Sequence, residues 1–458
     1  MKRIGSCLLA AMLICVFVLT ACAPAAATQT PAAATEAPAA TEAPAATEAP
    51  AATEAATTGA PVTLEFWAYA SMVQSGFGEY MKAQIADFEA SHPNVTINLT
   101  GKNDDDLVAG LVTSAASGTM PDVYIDSTGN GGALLAAGAV GNIYDRWMAM
   151  PQDFRDQFYP ANIAMVTPQD GVMYAVPYTG YGNLMYRNLT VLRAAGIDPS
   201  QPVTTWDEWL AQMKQITDAG YTAIPNMATT WFGFGSIYSG IATRDEWGID
   251  FANNKTLINP DEWAKTAEFL IKAKPYTSEL PALDQGMTDQ FIANQLAYYF
   301  CGAWCDPTFQ EAKKTSGLDY DWALIPGATA DKHGGCSGYE LMSINTKGAN
   351  ADLAWEFLTF MVGKDSMTKM AEAVGQYNAN KAAMEASAAN SPLIAITMKA
   401  AEGAIYNTPP FFIEPYPTNY ISTMQDNMTS IYEGQMTPAE GAAKLIEDLN
   451  AVVAGRNQ

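Results

Sequence analysis

Apolar positions along the chain fall into three regimes. Across residues 7–18 they are continuous, across 23–60 they are almost all alanine between Thr, Glu and Pro, and from Pro61 onward they alternate or recur at helical spacing. Residues 62–68 (VTLEFWA) alternate apolar and polar side chains, the period of a strand with one buried face. A helix is predicted at 78–90, an alternating strand at 95–99 closed by Gly101, a helix at 105–116, a turn at Gly118-Thr119-Met120-Pro121 and a short apolar strand at 122–126. This β-α-β-α-β order implies parallel strands with helices on their faces, an α/β fold. Later helices are predicted at 205–219, 260–272, 289–294, 349–361 and 437–453. The first of these opens on Thr205-Trp206-Asp207-Glu208, a capping hydroxyl followed by first-turn carboxylates. No internal repeat is visible within the globular part.

The first regime has the order of a targeting segment. Met1, Lys2 and Arg3 precede the apolar run, which is too short to span a bilayer, and Leu19-Thr20-Ala21-Cys22 closes it. That tetrapeptide resembles a bacterial lipobox, so residues 1–22 are expected to be a lipoprotein signal peptide and Cys22 the lipidated mature N-terminus. An ordinary secretory signal, with Cys22 incidental, is the alternative. The second regime repeats Thr-Glu-Ala-Pro-Ala-Ala, with threonines at Thr35, Thr41, Thr47 and Thr53. It offers no bulk to bury and cannot offset the entropy of ordering, so 23–60 is expected to be a disordered linker. At about 3.1 Å per residue its reach is on the order of 120 Å.

Charge changes the picture by exclusion. The chain has 24 basic and 48 acidic side chains, a net charge of −24, which argues against nucleic acid as a partner. Hydrophobic residues make up 49% of it, enough for a large core. Three cysteines remain in the globular part: Cys301, Cys305 and Cys336. In an exported protein they predict one disulfide and one buried thiol. Loop-closure entropy favours Cys336 with either Cys301 or Cys305, a loop of about 30 residues that gains about 3 to 4 kcal/mol; joining Cys301 to Cys305 gains less. No metal site is expected, since the spacing lacks a C-x-x-C pair and the chain's two histidines are His92 and His333. No cofactor is expected either. No phosphate-loop motif occurs, Gly129-Asn130-Gly131-Gly132 lacks the third glycine of a dinucleotide turn, and there is no G-x-S-x-G elbow.

Aromatic residues supply the positive signal. The chain has 10 Trp and 21 Tyr, several beside Gly, Asp or Asn in predicted loops: Trp67, Tyr69, Tyr178, Tyr181, Trp231, Trp304 and Tyr339. Sugar rings stack their C–H faces on such side chains while their hydroxyls seek carboxylates and amides, so the mixture suits a carbohydrate cleft.

Short stretches in a fixed order complete the reading. They include Leu64-Glu65-Phe66-Trp67, His92-Pro93-Asn94-Val95, Ser117-Gly118-Thr119-Met120-Pro121-Asp122-Val123, Gly171-Val172-Met173-Tyr174-Ala175-Val176-Pro177, Met185-Tyr186-Arg187-Asn188, Ala195-Gly196-Ile197-Asp198, Gly302-Ala303-Trp304 and Ala354-Trp355-Glu356-Phe357-Leu358. From Val62 to its end the chain resembles the family 1 extracellular solute-binding proteins of ABC transporters, the group that includes maltose-binding protein. The resemblance implies a two-lobed periplasmic-binding-protein-like fold with a hinge and an interlobe cleft, lobe 1 at 61–178 and 327–370, lobe 2 at 179–326 and 371–458. It implies a monomeric, non-enzymatic receptor, lipid-anchored to the outer face of the bacterial cytoplasmic membrane, that delivers a sugar or oligosaccharide to ABC permease subunits. The ligand-binding residues carried over by position are Trp67, Tyr69, Asp126, Tyr178, Tyr181, Trp231, Trp304, Tyr339 and Glu340. One departure is Gln376-Tyr377-Asn378-Ala379 in place of the more usual glycine-proline turn. The competing readings are a secreted carbohydrate-active enzyme and a same-fold receptor for a non-sugar solute such as a polyol phosphate or peptide.

Overall fold

The computed structural model describes residues 60–127, 131–167, 171–243, 246, 248–250, 253–403, 405–406 and 419–455. The signal segment, Cys22, the linker up to residue 59, Gly129 and Asn130 lie outside the described residues.

The alternating stretch at 62–68 is strand β1 (Val62–Tyr69), which places Leu64, Phe66 and Ala68 wholly inside. It pairs in parallel with β2 (Val95–Lys102) along its whole length, Val62 opposite Val95 and Tyr69 opposite Lys102. On its other edge it pairs in parallel with β3 (Val123–Ser127). The intervening helices are α1 (Ser75–Ser91) and α2 (Asp104–Ser117), so the expected β-α-β-α-β unit is present. α2 ends on Gly118, whose φ of 74° is a left-handed cap that glycine adopts without a Cβ clash.

The chain leaves this unit through β4 (Val176–Gly182), which runs through Asn183 into β5 (Leu184–Asn188). β5 is the centre of a second, antiparallel sheet between β6 (Tyr298–Cys301) and β7 (Tyr320–Ala323). The return is β8 (Cys336–Ile344), antiparallel to both β3 and β4. A two-residue strand β9 (Ile405–Tyr406) adds in parallel at the Cys336 end of β8.

Helices on the second sheet follow their sequence signals. α3 (Trp206–Asp218) carries the capping box: Thr205 accepts from the Glu208 N–H while the Glu208 side chain accepts from the Thr205 N–H. Its buried residues Trp206, Trp209, Met213 and Ile216 share one helical face. After α4 (Trp231–Tyr238), α5 (Pro260–Ala273) starts on Asn259 with proline at its first position. The helix expected at 289–294 is α6 (Gln285–Ile292), because Asp284 caps it by accepting from the Gly286 N–H at 2.7 Å. It stops where Asn294 turns left-handed at φ 57°. α7 (Asp306–Ser316), α8 (Ala351–Val362), α9 (Lys364–Val374), α10 (Pro392–Gly403) and α11 (Pro438–Gly455) complete the elements used below.

The buried residues form one core around the first sheet, which also takes in Met370, Val374, Tyr377 and Met384, and two clusters around the second. α10 touches both sides, with Leu393 and Ala400 in a second-sheet cluster and Ile394 and Ala401 in the first core. Gly182, at the passage from β4 to β5, is pressed against it. A Cβ there would lie 2.9 Å from the Thr397 carbonyl and from the Ala401 N–H nitrogen, so only glycine lets strand and helix approach this closely.

Candidate functional site

A cleft of about 530 Å³ opens between the two sheets. One wall comes from the side of the first sheet: Ser71, Met72, Gly76 and Phe77 where the chain leaves β1, Glu340 on β8, and Ala373, Val374 and Gln376 at the end of α9, a segment expected in lobe 2 whose Val374 packs in the first core. The other comes from the second lobe: Phe232 on α4, Leu283 just before α6, Trp304 between β6 and α7, and Pro307 in the first turn of α7. Among the described residues, the polar side chains lining it are Ser71, Glu340 and Gln376, and no Lys or Arg lines it.

Trp304 sits where a regular strand stops. β6 ends at Cys301, Ala303–Cys305 makes one tight turn, and α7 starts at Asp306. The indole lies over Gly302, where a Cβ would fall 1.8 Å from the ring, so any side chain at that position would displace the indole. Tyr186, buried on β5, donates its hydroxyl to the Gly302 carbonyl at 3.0 Å, and the Cys305 N–H donates to the same carbonyl at 3.2 Å. A disulfide joins Cys301 to Cys305, with Cα atoms 6.2 Å apart, and brackets the turn that carries the indole. Trp304 is 39% exposed.

That bond corrects the pairing expected from loop length. Cys301 and Cys336 are packed into different core clusters, and a Cβ on Gly235 of α4 would lie 3.1 Å from the Cys336 sulfur. Strand placement keeps the sulfurs apart, and a favourable loop entropy has nothing to act on. Cys336 is a buried free thiol, pushed up to about 12 by loss of solvation.

Leu283 is the second unusual wall residue. It is 41% exposed and its φ is 71°, a left-handed backbone that a leucine adopts at a cost.

Glu340 and Trp304 line the cleft, and the other predicted residues whose side chains are described are not among its lining residues. Tyr69 is buried at the end of β1 and donates to Asp126 Oδ1 at 3.3 Å, Asp126 being 3% exposed. Tyr178 is fully buried in the first core with its hydroxyl 3.3 Å from the Met81 sulfur. Tyr339 is buried, donates to the Tyr377 hydroxyl at 3.2 Å and lies against Gly180. Trp67 is half-buried under Lys102, whose Nζ stands 4.0 Å from the ring centroid. Trp231 is half-buried, packed near Gly235 and edge-on to Phe232. Tyr181 belongs to β4, and its side chain lies outside the described residues.

Sequence reasoning missed Met72, Phe77, Phe232, Leu283 and Gln376. Phe232 follows the chosen Trp231 by one position, and a helix start there was the signal that could have turned attention to it. Leu283 has no sequence signal. Gln376 belongs to the segment that replaces the glycine-proline turn, and the segment lies along β4: Gln376 Nε2 donates to the Gly180 carbonyl, and the Gly180 N–H to the Tyr377 carbonyl, both at 2.8 Å.

His92 stacks on Phe88, with its Nδ1 3.0 Å from both the Ser91 hydroxyl and the Phe88 carbonyl and its Nε2 3.1 Å from Glu356, away from the cleft lining. Among the described residues, no group of three or more His, Cys, Asp or Glu side chains is placed to hold a metal ion. No helix among them is long and apolar enough to cross a membrane.

A family model described as bacterial extracellular solute-binding protein matches residues 83–396. The sn-glycerol-3-phosphate-binding periplasmic protein UgpB of Agrobacterium fabrum is 22% identical over 173 residues, 38% of this chain. The match spans 39% of that relative's length. The GacH receptor of Streptomyces glaucescens, solved unliganded and with acarbose, superposes with a TM-score of 0.72 at 17% identity, covering 86% of this chain and 98% of that one. An ABC transporter solute-binding protein of Thermotoga lettingae, bound with alpha-D-tagatose, gives 0.71 at 19% identity, covering 85% and 99%. At such identities the likeness establishes the fold, two α/β lobes about a cleft. With the family model spanning more than half of its residues, the chain belongs to the bacterial extracellular solute-binding proteins.

Proposed function

We propose that this receptor captures a neutral sugar or oligosaccharide, delivers it unchanged to a membrane permease, and is held to the membrane by lipid on Cys22. The observation that carries the ligand class is the exposed Trp304 ring on a cleft wall among whose described lining residues there is no Lys or Arg. An indole face takes the C–H face of a pyranose, and the Glu340 carboxylate accepts from hydroxyls. A glycerol phosphate, the ligand in the name of the Agrobacterium relative, calls for cationic donors instead. Because the walls come from different lobes, a ligand touching both favours the closed arrangement by the contacts that only closure makes.

Thermal-shift titration with glucose, xylose, tagatose, maltose, maltotriose and sn-glycerol 3-phosphate tests the reading. A saccharide should raise the melting temperature as RT ln(1 + [L]/Kd) requires, while the phosphate should leave it unchanged. Stabilisation by sn-glycerol 3-phosphate alone would overturn it, and hydrolysis of a 4-nitrophenyl glycoside would replace it with an enzyme. For the anchor, Cys22→Ser should move the protein from the membrane fraction to the medium.

A further inference from the structure

We infer that the ligand is an amphiphilic glycoside, its sugar ring on Trp304 and an aryl or alkyl substituent against Leu283, Phe77 and Met72. This rests on the saccharide reading above and narrows it.

The first argument is hydrogen-bond supply. A pyranose carries hydroxyls around its whole rim, and each one that leaves water without gaining a partner weakens binding by about ten-fold or more. Among the described residues the cleft offers the side chains of Ser71, Glu340 and Gln376 and the indole N–H of Trp304, and one N–H of the Gln376 amide is given to the Gly180 carbonyl. Met72, Phe77, Phe232, Leu283, Pro307 and Val374 line the rest, and none has a side-chain donor or acceptor of useful strength. A bare oligosaccharide filling this space would press hydroxyls on apolar side chains. An aryl or alkyl group there removes apolar surface from water on both partners.

The second argument is Leu283. A large apolar side chain is held 41% exposed, on a backbone that disfavours any residue with a Cβ, and it borders the cleft. Leu280, three residues earlier, is exposed as well. Neither burial nor local backbone preference accounts for Leu283, whereas a ligand group covering it would. The third argument is size. Pockets of roughly 300–1,000 Å³ enclose ligands of drug-like size, so about 530 Å³ suits one or two rings with a substituent.

The test is isothermal titration of the full chain with paired methyl and phenyl glycosides of glucose, galactose, xylose and maltose. For the sugar that binds, the phenyl glycoside should be tighter than the methyl glycoside by about ten-fold or more. Leu283→Asn, a residue that tolerates the left-handed backbone, should erase most of that preference. Equal affinity for both members of every pair would overturn the inference and leave the saccharide reading intact. A phenyl preference unchanged in Leu283→Asn would remove Leu283 from the site and overturn the inference as stated. Phenol or cyclohexanol binding as well as any phenyl glycoside would overturn the saccharide reading together with it.

Discussion

The two walls of the cleft are built in opposite ways. The first-lobe wall is laid on the ends of a regular sheet, and the polar groups of that sheet, Tyr69, Asp126 and Tyr339, are buried in hydrogen bonds with one another or with Tyr377. The second-lobe wall is laid on interruptions: a three-residue turn bracketed by a disulfide, a glycine without room for a Cβ, and a left-handed leucine. Large apolar side chains on a strand are drawn into the core by the pleat. The braced turn holds Trp304 toward solvent instead, which is where a ligand needs it. Tyr178 and Trp304 were singled out by the same compositional argument, and one is fully buried while the other is 39% exposed.

The largest expected effect tests the buried side of that contrast. Tyr178→Ala should cost about 3–5 kcal/mol of folding stability by denaturant titration, with ligand affinity of the folded fraction unchanged. Trp304→Ala should do the reverse, weakening saccharide binding by about 2–4 kcal/mol in calorimetry while unliganded melting stays near that of the parent. If Trp304→Ala melts as low as Tyr178→Ala, the indole is a core residue and the contrast fails.

Next comes the brace. Cys301→Ser with Cys305→Ser should lower stability by about 2 kcal/mol, the entropy of a short loop. It should also weaken binding, because Trp304 loses one of its fixed ends; an unaltered affinity would show that Gly302 and the Tyr186 hydrogen bond hold the turn unaided.

The smallest effect concerns Cys336. Its folded-state pKa of about 12 stands above the thiol's ordinary value of 9.0, so between those values the unfolded chain releases a proton that the folded chain keeps. Stability from this group is therefore full below about pH 9 and declines as pH rises toward 12. Cys336→Ala should flatten that alkaline decline, measured by denaturation at pH 8 to 11, and native protein should resist alkylation by iodoacetamide.

What the sequence determined by itself was local. Alternation over 62–68 fixed a strand and its inward face, Thr205 with Glu208 fixed a helix start, and Gly118 fixed a helix end, because these depend on neighbours within a turn or a pleat. The order of such elements implied parallel pairing, which β1, β2 and β3 show. The family resemblance pointed to Trp304 and Glu340, and both line the cleft. Tertiary structure decided the rest. Cys336 is excluded from a disulfide because β8 carries it into a core that Cys301 does not share, and Leu283 reaches the cleft through a backbone turn no side-chain pattern announces. Whether an aromatic ring is core or wall depends on strands paired across a hundred residues or more, as β5 and β6 are around Trp304, and sequence periodicity has no range at that distance.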